Sequence, residues 1–113
     1  MEKKIEELVL DAGLSRNRPK GSDIGKAYRL DDATGRYIEY IKSTIPKGIT
    51  FDGIKIVVDC ANGAAYKTTP WLLRELGADV ISINDRPDGI NINEGCGCLY
   101  IERLQKTVKL HKA

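Results

Sequence analysis

A single histidine, three cysteines, one methionine and one tryptophan leave this 113-residue chain with few side chains that hold metals or redox groups. The odd cysteine count excludes a framework in which every thiol is paired, and it fits a reducing compartment. Cys96 and Cys98 form a C-x-C pair, with Cys60 and His111 distant from it in sequence. A structural zinc site shows two compact ligand pairs, so this spacing reads as small buried or turn cysteines, with no metal ligand among them. No apolar run approaches the ~20 residues of a membrane span. The opening Met1-Glu-Lys-Lys-Ile-Glu-Glu7 is too charged for a secretory signal, so a cytoplasmic protein without a membrane partner is expected. An excess of one charge is missing as well. The 18 basic and 16 acidic side chains are dispersed and give a net +2, with no basic stripe for a nucleic-acid partner.

The familiar catalytic signatures are absent too. There is no GxGxxG, no GxxxxGK[ST] and no GxSxG, which excludes a dinucleotide fingerprint, a P-loop and a nucleophile elbow. Asp52-Gly53 and Asp88-Gly89 lie outside the alternating-acid pattern of a calcium loop and read as turns. His111 has no carboxylate or nucleophile placed to work with it, so it reads as a helix-end packing residue near the carbonyl pole. No catalytic residue and no metal ligand is therefore assigned.

What is present is one clear strand–turn–helix unit, Ile54-Lys-Ile-Val-Val-Asp-Cys-Ala-Asn-Gly-Ala-Ala-Tyr66. An apolar β-branched run ends on Asp59, a small-residue turn follows, and helical spacing begins. Leu72, Leu73 and Leu76, with Trp71, predict the core face of this helix, and Gly77 predicts its end. Pro70 predicts a kink, or a regular helix that starts only near Thr69. Val80, Ile81 and Ile83 then mark a second strand, parallel to the first because a helix joins them.

Around this unit, Ile5, Leu8 and Val9 predict an amphipathic helix over residues 2–14 ending near Gly13, followed by a polar linker over residues 15–23. Residues 24–30 read as a short strand. Asp31 and Asp32 predict helix caps before Ile38, Ile41 and Ile45, with Tyr37 and Tyr40 flanking that stripe and partly buried. Ile101, Leu104 and Val108 mark a last helix over residues 99–112, with His111 on the same stripe. The whole reads as α/β: a layered α/β/α domain with a small mixed, partly parallel sheet. An α/β layout expects one more strand after the last helix, so the sheet reads as missing its final strand and exposing an edge.

Two loops follow the carboxyl ends of the strands, residues 59–65 and 88–98, and these ends are where open α/β sheets collect ligands. Asn62, Asn91 and Asn93 offer amides there, while Gly63, Gly95 and Gly97, with Cys96 between the last two, allow close backbone approach. Two readings stand side by side: these residues satisfy turn geometry alone, or they contact a ligand or a neighbouring domain.

Four collinear stretches carry a resemblance. Asp31-Asp-Ala-Thr-Gly-Arg-Tyr-Ile-Glu39, Ile56-Val-Val-Asp-Cys-Ala-Asn-Gly-Ala-Ala-Tyr66, Glu75-Leu-Gly-Ala78 and Pro87-Asp-Gly-Ile-Asn-Ile-Asn-Glu-Gly-Cys-Gly97 resemble the bacterial phosphoglucosamine mutases of the α-D-phosphohexomutase superfamily. The resemblance implies a four-domain enzyme of which residues 24–113 are the second domain, truncated at its C-terminal end. Residues 1–23 would then be the tail of the domain before. It further implies interconversion of glucosamine 6-phosphate and glucosamine 1-phosphate through a phosphoserine and a bisphosphate intermediate, assisted by Mg2+. The residues for that chemistry match no position here, so the resemblance implies no catalytic residue and no bound cofactor in this chain. One departure stands out: the family continues Cys-Gly-Ser-Thr where this chain has Cys96-Gly-Cys-Leu99. The resemblance makes the remaining mutase domains the partners, with a phosphosugar bound only by the full-length enzyme. A non-enzymatic module that complements other domains or self-associates through its exposed sheet edge is the alternative. An independent small-ligand domain of flavodoxin-like type is a third.

Overall fold

The computed structural model describes residues 1–10 and 18–113, so the expected helix end near Gly13 and the beginning of the linker at Ser15 lie outside the described residues. The chain divides into two compact units, Met1–Leu30 and Asp31–Ala113.

In the first unit, helix α1 (Glu2–Leu10) has no buried residue, and a 3-10 turn spans Gly21–Asp23. Residues 24–30 are not a strand, and every one of them is exposed. A strand needs a ladder to receive its amides. This segment alternates poorly, carries Gly25, and finds no ladder partner.

The second unit contains α2 (Ala33–Thr44), β1 (Lys55–Asp59), α3 (Ala65–Glu75), β2 (Asp79–Ile83) and α4 (Glu102–His111). β1 and β2 pair in parallel, with Lys55 opposite Asp79 and Asp59 opposite Ile83. Helix α2 packs on α3, α3 on β2, and α4 on β1, which makes a small α/β/α arrangement. In the described residues the sheet has these two strands alone, and their pairing is parallel. Among the described residues few are buried: Ile38, Cys60, Pro70, Ala78 and Cys96. A domain this small buries a modest share of its surface, so fixed turns matter more to it than to a larger fold.

Several local expectations need correction. Asp32 stands at the N-cap of α2, yet its carboxylate accepts from Arg36 Nε at 2.8 Å instead of capping a backbone amide. Helix α3 runs unbroken from Ala65 through Pro70, so it does not wait for Thr69. Trp71 is 53% exposed, and Leu72, Leu73 and Leu76 face inward without it. Tyr40 is 68% exposed, whereas Tyr37 and Ile101 are about half covered, so of the two tyrosines Tyr37 is the one partly buried as expected. His111 is exposed too; its contribution is a carbonyl that accepts from Lys55 Nζ at 3.3 Å. The α2–α3 contact carries a surface tie instead, Lys42 Nζ reaching Glu39 at 2.8 Å and Glu75 at 2.9 Å.

The turn from α3 into β2 is the most constrained point of the scaffold. Gly77 N–H donates to the Arg74 carbonyl at 3.0 Å and Ala78 N–H to the Leu73 carbonyl at 3.0 Å, the two bonds of a Schellman end. The free carbonyl of Leu76 accepts from Phe51 N–H at 2.7 Å and from the Thr50 hydroxyl at 3.2 Å, which fixes the approach to β1. Gly77 has φ +100°, and a Cβ there would stand 2.1 Å from Asp52 Oδ1. Gly53 has φ +79° but open space around it. We expect Gly77→Ala to lower unfolding stability by about 2 kcal/mol or more, and Gly53→Ala by about 1 kcal/mol. Urea denaturation of both variants checks this, and equal effects would show that the Asp52 contact is unimportant.

Candidate functional site at the carboxyl ends of the strands

Asp59 closes β1 at the edge where the two loops meet, and its carboxylate organises both. Oδ1 accepts from Ala61 N–H at 2.9 Å and from the Asn84 side-chain amide at 2.9 Å. Oδ2 accepts from Gly97 N–H at 2.9 Å, reaching 38 residues along the chain. Asn84 in turn accepts from the Arg103 guanidinium at 2.7 Å, which ties the first turn of α4 into the same network. Partial burial pushes the Asp59 carboxyl upward, but the Asn84 amide, the Ala61 and Gly97 N–H groups and the Arg103 charge outweigh it. The net effect holds Asp59 below the ordinary carboxylate range.

The turn after Asp59 follows from that arrangement. Ala61 and Asn62 take consecutive left-handed conformations, φ 50° and 51°. Such a conformation is costly for alanine and persists where the surroundings over-determine it. Here they do: Cys60 N–H extends the ladder to the Ile83 carbonyl, Asn62 N–H donates to Asn84 at 2.7 Å, and the Ala61 carbonyl accepts from Asn93 at 2.9 Å. Gly97 has φ +75°, and an added Cβ would lie 3.0 Å from Ala61 Cβ and 3.1 Å from Asn93 Oδ1. A side chain at Gly97 would strain the backbone and press on both neighbours, so glycine favours the close approach of the second loop to the first.

Of the residues expected to contact a ligand or a neighbouring domain, Asn62, Gly63 and Asn91 line one shallow cleft of about 280 Å³ with Tyr66, Pro87 and Ile92. Asn62 and Asn91 also line a second cleft of about 350 Å³, with Asn84, Asp85, Arg86 and Arg103. Asn93 and Gly95 are exposed, with left-handed φ of 58° each, and Asn93 joins the loops through its backbone. Gly97 lies under the turn as Asp59's partner. Cys96 is 1% exposed, so its side chain belongs to the interior and faces no cleft. Burial pushes the Cys96 thiol up, with Asp59 adding to it; burial pushes Cys60 up likewise, with Asp85 and Asp59 adding. Neither is poised as a nucleophile. Cys98 is exposed.

Asp59, Asn84, Arg86 and Arg103 were not among the residues expected from sequence. For Asp59 a signal existed, a carboxylate at the end of an apolar strand, which has to find donors if it is to stay charged beside a core. Arg103 gave none, since it reads as one more cation on a solvated helix face.

The acids near the clefts do not make a cation site. Among the described residues no group of three or more His, Cys, Asp or Glu is placed to hold a metal ion. Both Asp59 oxygens are engaged by N–H donors, and Asp85 accepts the Ser82 hydroxyl at 2.5 Å. No described helix is long and apolar enough to cross a membrane.

A family model described as phosphoglucomutase/phosphomannomutase, alpha/beta/alpha domain II, matches residues 35–112. The chain is 57% identical over 109 residues to a protein of Thermodesulfovibrio yellowstonii named phosphoglucosamine mutase, covering 96% of this chain and 24% of that one. Proteins with the same name from Myxococcus xanthus and Geotalea uraniireducens are 55% identical over 112 residues and 52% over 113, covering 99% and 100% of this chain. The chain thus spans about a quarter of the length of these relatives.

If Asp59 ties the loops together, Asp59→Ala should cost about 2 kcal/mol, because its donors lose their acceptor. Asp59→Asn should cost less, since the amide turns an N–H toward one former donor. The pH dependence has a fixed sign. A carboxyl lowered on folding contributes stability above its ordinary pKa of about 3.9, and that contribution is lost as pH falls through the lower folded value. Denaturation of the wild type and Asp59→Asn between pH 7 and pH 2 should show their stabilities converging in acid; a gap unchanged by pH would contradict the assignment.

Proposed function

This chain belongs to the phosphoglucomutase/phosphomannomutase family through its alpha/beta/alpha domain II, and from that premise we propose that it is the second domain of a phosphoglucosamine mutase. One observation carries the reading: identity of 50% or more to proteins of that name, running the length of this chain and reaching only about a quarter of theirs. The enzyme so proposed interconverts glucosamine 6-phosphate and glucosamine 1-phosphate through a phosphoserine and a bisphosphate intermediate, in the cytoplasm, on the way to cell-wall amino sugars. Its other domains are this chain's partners, and they supply the phosphoserine, the sugar contacts and the carboxylates for Mg2+. When bound, that ion would neutralise charge during phosphoryl transfer. The acids beside the clefts, Asp59 and Asp85, do not fit the role, being engaged as acceptors of hydrogen bonds, so no step is routed through them.

The contribution proposed for this chain is placement. Asp59 fixes the loops at the carboxyl ends of β1 and β2, and Asn62, Gly63, Asn91, Asn93, Gly95 and Gly97 give those loops a surface that meets the cleft or an adjoining domain. Cys96 supports that surface from beneath. By itself the chain should not turn over substrate. An assay with glucosamine 6-phosphate, Mg2+ and a bisphosphorylated sugar as activator should give no glucosamine 1-phosphate, and measurable turnover would overturn the reading.

A second reading has its own observation. In the described residues each strand of the two-stranded sheet keeps one unpaired edge, and such edges pair with other chains. On that reading the chain is a non-enzymatic module that self-associates. Light scattering across a hundredfold concentration range decides it. A monomer throughout would remove self-association, and a reversible dimer would support it.

A further inference from the structure

Arg86 is held in an unusual way. Its backbone N–H donates to Asn62 Oδ1 at 3.2 Å and its carbonyl accepts from Asn91 Nδ2 at 3.0 Å, so two asparagine side chains clamp one residue from both sides. Its guanidinium, by contrast, makes no hydrogen bond or ion pair among the described residues. A fixed backbone thus carries a free cationic fork.

Arg103 lines the same cleft of about 350 Å³. One of its N–H groups donates to Asn84 at 2.7 Å, which sets the guanidinium in place and leaves most of its donors unused. The acid in the lining, Asp85, takes the Ser82 hydroxyl, and Asp59 stands behind the lining with its oxygens taken by N–H donors, so the two guanidinium groups are the donors the cleft itself presents. It also stands at the carboxyl ends of both parallel strands, where such sheets place their ligands.

A guanidinium fork matches the oxygens of a carboxylate or a phosphate. A carboxylate is satisfied by one fork, whereas two forks in one cleft suit an anion with oxygens on several sides. We infer that the cleft between Arg86 and Arg103 binds a small tetrahedral oxyanion of the phosphate type. The site belongs to this chain alone and does not depend on mutase activity. A negative result here leaves the domain assignment untouched, and turnover in the assay above would leave this site untouched.

The test is an amide NMR titration of the intact chain with inorganic phosphate and, separately, with acetate, at constant ionic strength. Phosphate should shift Asn62, Asn84, Arg86 and Arg103 with one saturable curve, and acetate should not. Arg86→Ala should retain a dispersed spectrum, because the lost guanidinium has no partner, and should weaken phosphate binding about tenfold or more. The Nε–H signal of Arg86 in the wild type gives a second readout that needs no substitution: it should move with phosphate and stay with acetate. Glucosamine 6-phosphate in place of phosphate separates the sources. Equal affinity means that the phosphate group alone is recognised, and tighter binding means that a phosphosugar is the occupant; both support the site. Absent or unsaturable shifts, shifts scattered over surface lysines, an equal response to acetate, or binding unchanged in Arg86→Ala would each overturn it.

Discussion

One carboxylate keeps the ends of this small sheet in order. Asp59 accepts from Ala61, Asn84 and Gly97, three donors that come from the first turn, the end of the second strand and the far end of the long second loop. The long loop closes between two distant points of the chain, and closing it costs conformational entropy that grows slowly with its length. Hydrogen bonds to an ionised acceptor are stronger than neutral ones, so a single charged residue offsets more of that cost than an amide would. With few residues fully buried, the domain has little core to do this by hydrophobic contact.

The asparagines around Asp59 continue the same logic outward. Asn84 relays the carboxylate to Arg103 on α4, Asn62 and Asn91 hold Arg86, and Asp88 receives the amides of Ile90 and Asn91 at 3.0 and 2.9 Å. Ile90 and Ile92, 89% and 61% exposed, stand on a loop that is nonetheless tied at many points. Ordered loops on a rigid scaffold are where proteins carry binding functions. The chain spans about a quarter of the length of its relatives, and on the proposed reading these loops are the surface that would meet the other domains.

Much of the architecture was legible in the sequence because its signals are local. The run ending at Asp59, the helix through Leu72 and Leu76, the stop at Gly77 and the second strand each obey a short-range rule, and the parallel pairing follows from the helix between them. The failures were non-local. A strand over residues 24–30 needed a partner that local pattern cannot supply, and Trp71 belongs to the helical stripe by spacing yet faces solvent. The loops were found because Gly and Asn mark left-handed backbone, and the structure puts Asn62, Asn84, Asn93, Gly95 and Gly97 there. Their organiser was not found, since the bonds from Asp59 to Asn84 and Gly97 cross 25 and 38 residues. Nor did anything in the sequence bring Arg86 and Arg103 to one cleft.

Amide hydrogen exchange tests the central role of Asp59 most directly. If its carboxylate holds the loops as described, the Gly97 and Ala61 amides should be protected from exchange to a degree approaching that of β1 and β2, although neither lies in a strand or a long helix. Exchange of Gly97 at the rate of an unstructured peptide, while the strand amides remain protected, would contradict the account.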